Sequence, residues 1–315
     1  MRYALAIAVT VAVSTAGASV WAQNTKAPAA AKESMQTPAP VPTTFPPLTK
    51  EKCDNPNALG VSRVVEIDTT SGPGFGFENF KAYDFLKDHE VVLTFDDGPW
   101  PGNTPRVLKA LTDQCTKAMF FSIGEHAGWH PEIEKMYYAD GMTVGTHTWS
   151  HKDLTKMSTE AAEAEIEKGI AAVSIAAGYK PVAPFFRFPA LRDPPEVMKY
   201  LATRHIAMFS TDIDTFDFKM RRPKEVVHSV MSKLAKRGKG ILLMHDFQRA
   251  TSLALPEILK ELKKGGYKVV QVVAKKPIEP LPKYKQIVLK EMGGGLSEAK
   301  PMSSIVKTIN GPTAN

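Results

Sequence analysis

Two adjacent carboxylates, Asp96 and Asp97, lie between an apolar run and a Gly98-Pro99 turn. Neighbouring carboxylates repel each other unless a cation sits between them or one is protonated. Taken alone, the pair also fits an Asp-Gly turn with a capping carboxylate. His147 and His151 are four residues apart. In a helix or a tight loop, such imidazoles can reach one metal ion. Two His and one carboxylate leave an open position on Zn²⁺, as hydrolysis requires. His126 and His130 repeat the spacing, but His130 precedes Pro131 at a helix start, which points to capping and packing. Arg187 offers a guanidinium that can orient a carboxylate in bidentate fashion, or form a structural ion pair. Asp212, Asp214 and Asp217 run beside Phe216 and Phe218. These carboxylates can tune an imidazole and the rings can line a sugar face, or the segment is an acidic loop with packed Phe. His245 ends an apolar run, where an imidazole serves as a general acid or packs in the core.

The elements that must position these groups follow from the hydrophobic pattern. Short apolar runs at 91–95, 118–123, 143–147, 184–188, 206–210, 240–244 and 267–273 read as buried strands. Helical stretches at 104–114, 131–139, 159–177, 194–203, 223–236 and 256–264 alternate with them. Asp193-Pro194-Pro195-Glu196 reads as a capped start with Pro at the first helical position. Pro131, Pro223 and Pro256 mark further starts, and Gly141, Gly178, Gly238 and Gly265 follow helix ends. Strands and helices in alternation predict a parallel α/β sheet, either open and doubly wound or closed as a barrel. Asp96, Asp97, His147, His151, Arg187, Asp212, Asp214, Asp217 and His245 all fall at the carboxyl ends of strands, the edge where such folds build sites.

The chain has 315 residues, 43% of them hydrophobic, enough for a sizeable core. Residues 1–22 read as a signal peptide: Arg2, an apolar run at 5–13, and Val20-Trp21-Ala22 as a cleavage site. The run is too short to span a bilayer, so no transmembrane segment is expected. Export to a periplasm or the extracellular space follows. Residues 23–50 are rich in Pro and Ala, which predicts a linker. Residues 275–315 predict a flexible C-terminal tail. The two cysteines, Cys53 and Cys115, predict one disulfide in an exported protein. The net charge of +7 reads as solubility. No basic-aromatic array accompanies it, so nucleic acid is not an expected partner.

In order along the chain, Thr94–Pro99, His147–His151, Arg187–Ala190, Asp214–Phe218 and Leu243–His245 resemble the five motifs of the polysaccharide deacetylases with a NodB-homology domain, carbohydrate esterase family four. The resemblance covers residues 91–273 and places that domain at 51–274. It implies a distorted (β/α) barrel with about seven parallel strands. It implies a divalent metal, most often Zn²⁺ with Co²⁺ or Ni²⁺ as alternatives, held by Asp97, His147 and His151. It further implies Asp96 as the base, Arg187 holding Asp96, His245 as the acid and Asp217 tuning His245. Pro189, Ala190, Phe218 and Leu243 fall at substrate-binding positions, with the residue-190 backbone N–H facing the developing oxyanion. The family usually has an aromatic where Ala190 stands and Trp where Phe218 stands, so an altered substrate groove is expected. The implied reaction is hydrolysis of N-acetyl groups on a polysaccharide containing N-acetylglucosamine: a chitin oligomer, peptidoglycan or a related glycan. Two alternatives use the same residues or the same fold: an esterase on O-acetylated xylan, and a cell-wall-binding protein without catalysis. The residues do not specify the polymer, the resident metal or the oligomeric state.

Overall fold

The computed structural model describes residues 44–45 and 53–296. The expected signal peptide, and the expected linker apart from residues 44–45, lie outside the described residues. The strands are β1 (Arg63–Ile67), β2 (Gly74–Phe75), β3 (Glu90–Asp96), β4 (Met119–Ser122), β5 (Thr143–Thr146), β6 (Phe185–Phe186), β7 (Ala207–Phe209), β8 (Ile213–Asp214), β9 (Gly240–His245) and β10 (Lys268–Ala274). The helices are α1 (Thr104–Asp113), α2 (Gly124–Trp129), α3 (Pro131–Ala139), α4 (Thr159–Ala176), α5 (Pro195–Thr203), α6 (Pro223–Arg237), α7 (Arg249–Lys264) and α8 (Pro282–Leu296).

All paired strands run parallel. β3 lies between β4 and β9, and β5, β6 and β7 continue the wall beyond β4. β7 and β8 belong to one run of chain that changes partner. The first part pairs with β6 and the second with β9, which brings the wall round to β3 and closes a distorted barrel. Asp212 fixes this change of partner, since its carboxylate accepts from the backbone N–H of Phe77 and of Ile241. It is therefore a structural carboxylate. β3 is buried along its whole length, as expected of an apolar strand covered on both faces. Val92, Met119, Phe121, Phe185, Phe209 and Ile241 form an inner cluster with no helical residue in it. Leu93, Phe95 and Phe120 face outward and pack with helix residues such as Leu108, Ile170 and Leu255. The alternation along β3 and β4 is the period of two that a strand imposes.

Several expectations need correction. β1, β2, β8 and α2 were not legible, being short, Gly-containing or outside the alternating pattern. The tail from residue 275 is not loose where it is described. α8 buries Val288 and Met292 in the outer core, because its apolar face packs on α4. α7 starts at Arg249, and Pro256 lies inside it. Burial of Ala250, Thr251, Ser252, Ala254 and Leu255 outweighs the missing N–H of the proline. α5 starts at Pro195, and Asp193 does not cap it but accepts from the Asn79 side-chain amide at 2.9 Å. Gly265 is not left-handed (φ −79°); Gly266 is. Cys53 and Cys115 are joined, with Cα atoms 5.8 Å apart.

Candidate active site

Asp96 is the last residue of β3 and stands in register with His245, the last residue of β9. The two share a rim because parallel strands end together. Arg187 follows β6, and its buried guanidinium spans the barrel mouth. It donates to Asp96 Oδ1 and Thr94 Oγ1, each at 2.7 Å, to Ser210 O at 2.8 Å and to Phe209 O at 3.2 Å. Its plane lies over the Phe121 ring, 4.3 Å from the centroid. One cation thus meets one carboxylate and three neutral acceptors, which is how a buried charge is tolerated.

Asp97 leaves the strand with φ 70°. Its Oδ1 is buried and has no hydrogen-bond donor. Two imidazole nitrogens face that oxygen instead, His147 Nε2 at 3.5 Å and His151 Nε2 at 3.4 Å. One ligand atom from each of the three lies within 4.8 Å of the others. The His147–His151 segment is a tight loop rather than a helix, with Thr148 at φ 67° and His151 at φ 55°. The Thr148 hydroxyl accepts from the His151 N–H, and Glu165 accepts from the N–H and hydroxyl of Ser150. Gly169 of α4 is needed beneath this loop: a Cβ there would stand 2.7 Å from the carbonyl carbon of Thr148. Strained backbone at two of the three gathered residues fits a site whose geometry the surroundings enforce.

His147 Nδ1 lies 2.7 Å from the carbonyl oxygen of Arg187. A carbonyl only accepts, so Nδ1 carries the hydrogen and Nε2 presents a lone pair toward Asp97. Burial pushes this imidazole down to about 4, which keeps it neutral at ordinary pH. An orphaned anionic oxygen and imidazole nitrogens aimed at it fit a divalent cation with two N ligands and one O ligand.

On the other side of Asp97, His245 Nδ1 lies 2.6 Å from Asp217 Oδ1, and Nε2 lies 3.9 Å from Asp97 Oδ2. Asp217 is fully buried; its Oδ2 also accepts from the His245 N–H and from the Thr251 hydroxyl. Burial alone pulls the His245 imidazole down, but the charge and hydrogen bond of Asp217 outweigh it and hold the group up at about 9. Phe218 sets its ring edge-on to His245 at 5.5 Å. Ala190, at φ 53°, lines a cavity of 530 Å³ with Asp214 and Phe216. Leu243 and Pro189 are buried and are not among its walls. The Asp214 side chain accepts from the Phe216 N–H, and burial raises its carboxyl.

The structure therefore gathers Asp96, Asp97, His147, His151, Arg187, Asp217 and His245 around one point, with Phe218 against His245, whereas Ala190 lines a cavity to which none of them contributes. His126 and His130 do not join them. His126 Nδ1 lies 2.6 Å from the backbone oxygen of Asp97, and His130 heads α3 without a side-chain capping bond. Sequence reasoning missed Thr251, which lies ahead of the expected start of its helix, and the supports Glu165 and Asp246. Asp246 is buried and accepts from Tyr137 Oη and Thr104 Oγ1. The Cβ of any residue other than Gly at position 98 would collide with that carboxylate and the Tyr137 hydroxyl.

A family model described as polysaccharide deacetylase matches residues 85–207. A peptidoglycan-N-acetylglucosamine deacetylase of Listeria monocytogenes is 35% identical over 185 residues, covering 58% of this chain and 38% of that protein. A chitooligosaccharide deacetylase of Rhizobium leguminosarum is 31% identical over 159 residues, covering 50% of this chain and 72% of that protein. A solved structure of a Bdellovibrio bacteriovorus peptidoglycan deacetylase superimposes with a TM-score of 0.63 at 30% identity, over 71% of this chain and 62% of that one. The match spans less than half the length of the first of these curated relatives. On these matches the chain belongs to the polysaccharide deacetylase family.

Proposed function

We propose that the chain hydrolyses the N-acetyl amide of N-acetylglucosamine residues in a polysaccharide, and that it does so after export. The observation that carries the reading is the unpartnered Asp97 oxygen between two imidazole nitrogens, with an Arg-held carboxylate on one side and an Asp-held imidazole on the other. Asp97, His147 and His151 would hold a divalent cation, Zn²⁺ by the chemistry of this donor set. When bound, such a cation lowers the pKa of a water and polarises an amide carbonyl.

The remaining roles belong to the side chains. Asp96 takes a proton from the attacking water through Oδ2, because Arg187 already occupies Oδ1. Arg187 fixes Asp96 in direction. The backbone N–H of Ala190 is the donor offered to the developing oxyanion. His245 carries its transferable proton on Nε2, since Nδ1–H is held by Asp217. It delivers that proton to the nitrogen as the C–N bond breaks, leaving acetate and a free amine. The relatives named above are described as deacetylases of peptidoglycan or of chitin oligomers, which supports the substrate class.

Acetate release should be measured on N-acetylglucosamine oligomers, peptidoglycan and acetylxylan, with and without a chelator. Release from the N-acetylated glycans that stops on chelation and returns with Zn²⁺ is expected. Release from acetylxylan alone would overturn the amide assignment, and turnover indifferent to chelation would overturn the metal assignment.

A further inference from the structure

Beside the catalytic rim lies an aromatic array that the proposed reaction does not use. Trp100 follows the Gly98-Pro99 turn, and Trp129 ends α2. The two residues are 37% and 58% exposed, and neither belongs to either core cluster, whereas Trp149 packs against the outer one. Leaving two indoles in water gives up the largest apolar burial a side chain can offer, so the fold has no use for them there. The imidazole of His126 bridges them, 5.2 Å from Trp100 and 5.1 Å from Trp129 between centroids, and His130 lies 5.7 Å from Trp100.

The array is anchored rather than loose. His126 Nδ1 meets the backbone oxygen of Asp97 at 2.6 Å, which ties the array to a candidate metal ligand. The backbone N–H of Trp100 donates to Thr104 Oγ1, and that hydroxyl donates to buried Asp246, which fixes the chain that carries the indole. α2 abuts α8, where a Cβ on Gly128 would stand 3.2 Å from Met292. A second aromatic group, Phe218 with Phe247, sets its rings edge-on to His245 at 5.5 and 6.1 Å.

We propose that Trp100 and Trp129 form a stacking shelf for pyranose residues of the glycan that lie beyond the one being deacetylated. The inference rests on the N-deacetylase reading of the adjoining site. A pyranose ring presents a flat C–H face that suits the electron-rich face of an indole, while its hydroxyls stay in water at the rim. The shelf adjoins the reacting centre, because His126, which both indoles touch, lies 2.6 Å from the Asp97 backbone oxygen. The function of the otherwise unused His126–His130 pair is then to hold the two indoles in place.

The test uses the full chain with metal bound and N-acetylglucosamine oligomers from dimer to pentamer. In the wild type, KM should fall with chain length. Trp129→Ala should remove most of that fall, raising KM for the pentamer about tenfold, with the loss in KM rather than kcat. Trp129→Phe should restore part of it. Pentamer binding, followed by tryptophan emission in an Asp96→Asn background where turnover is off, should weaken by the same factor in Trp129→Ala. Equal losses on dimer and pentamer, or no loss on either, would overturn the shelf. So would binding of a muropeptide through its peptide stem with no binding of the pentamer. A wild type that releases acetate from neither the oligomers nor peptidoglycan yet binds the pentamer through Trp129 leaves the shelf standing and sinks the deacetylase reading. Hydrolysis with no dependence on chain length does the reverse.

Discussion

Arg187 and Asp96 meet at 2.7 Å with both side chains out of solvent, and the guanidinium that holds Asp96 also bonds Thr94, Phe209 and Ser210. The pair serves the fold and, on the proposed function, the reaction as well, so a substitution must be chosen to separate the two. Asp96→Asn keeps an oxygen for Arg187 and removes only the basicity. Metal content should be retained, and kcat should drop by about 10²–10⁴. Asp96→Ala instead strands a buried cation, which costs about 3–5 kcal/mol and should show as a lower Tm. Wild-type turnover in Asp96→Asn would remove Asp96 from the role of base.

Asp97→Ala should behave in the opposite way. It deletes the only oxygen of the gathered triad while His147 keeps its backbone partner. Losing a direct ligand should weaken metal binding by more than the about 10–100-fold typical of an outer-sphere partner. Equilibrium dialysis against Zn²⁺ measures this, and the Tm increase on adding Zn²⁺ should vanish with it. Retained metal in Asp97→Ala would reassign the ligand set.

His245 must be protonated to act as an acid, so activity should persist below about pH 9 and fall as pH rises through that value. Asp217→Asn removes the charge and the accepting oxygen that hold the imidazole up against burial. The alkaline limb of the kcat profile should then move to lower pH. An unchanged limb would mean that a different group donates the proton.

Glu134 is buried on α3 at hydrogen-bond distance from the Ser122 hydroxyl, and burial raises its carboxyl to about 8. Its folded pKa lies above its unfolded one of 4.5, so the native state holds a proton that the unfolded chain releases. Stability should decline as pH rises from about 4.5 to about 8, by roughly 3 kcal/mol at pH 7, and then level off. Glu134→Gln removes this dependence while still accepting from Ser122. Its Tm relative to wild type should therefore climb between about pH 5 and about pH 8. A constant difference across that range would mean that Glu134 does not carry this proton in the folded state.

Much of this was legible in the residues. An uninterrupted apolar strand before Asp96, and His147, Arg187 and His245 at the ends of later apolar runs, suffice to predict a parallel sheet with its chemistry on one edge. That prediction works because a parallel sheet brings every strand's carboxyl end to the same rim. The starts of α3 and α6 were readable because Pro131 and Pro223 act locally, as first helical residues. The start of α7 was not, because what carries the helix through Pro256 is burial against α1, about 140 residues earlier, and α6, which no local signal encodes.

The sequence by itself determined which groups are available and that Asp96 differs from Asp97 by one residue of chain. It could not say which of the two carboxylates meets a cation, because adjacent side chains of an extended chain point in opposite directions and both directions were open. The tertiary structure gives the two carboxylates different surroundings. Arg187, which lies 91 residues away, occupies Asp96 Oδ1, and the turn at Asp97 aims Oδ1 at two imidazoles with no donor to satisfy it. The same holds for the two His pairs. Both have i, i+4 spacing, but only the loop braced by Glu165 and Gly169 points its nitrogens at Asp97, while packing turns His126 toward a backbone carbonyl and leaves Trp100 and Trp129 facing water.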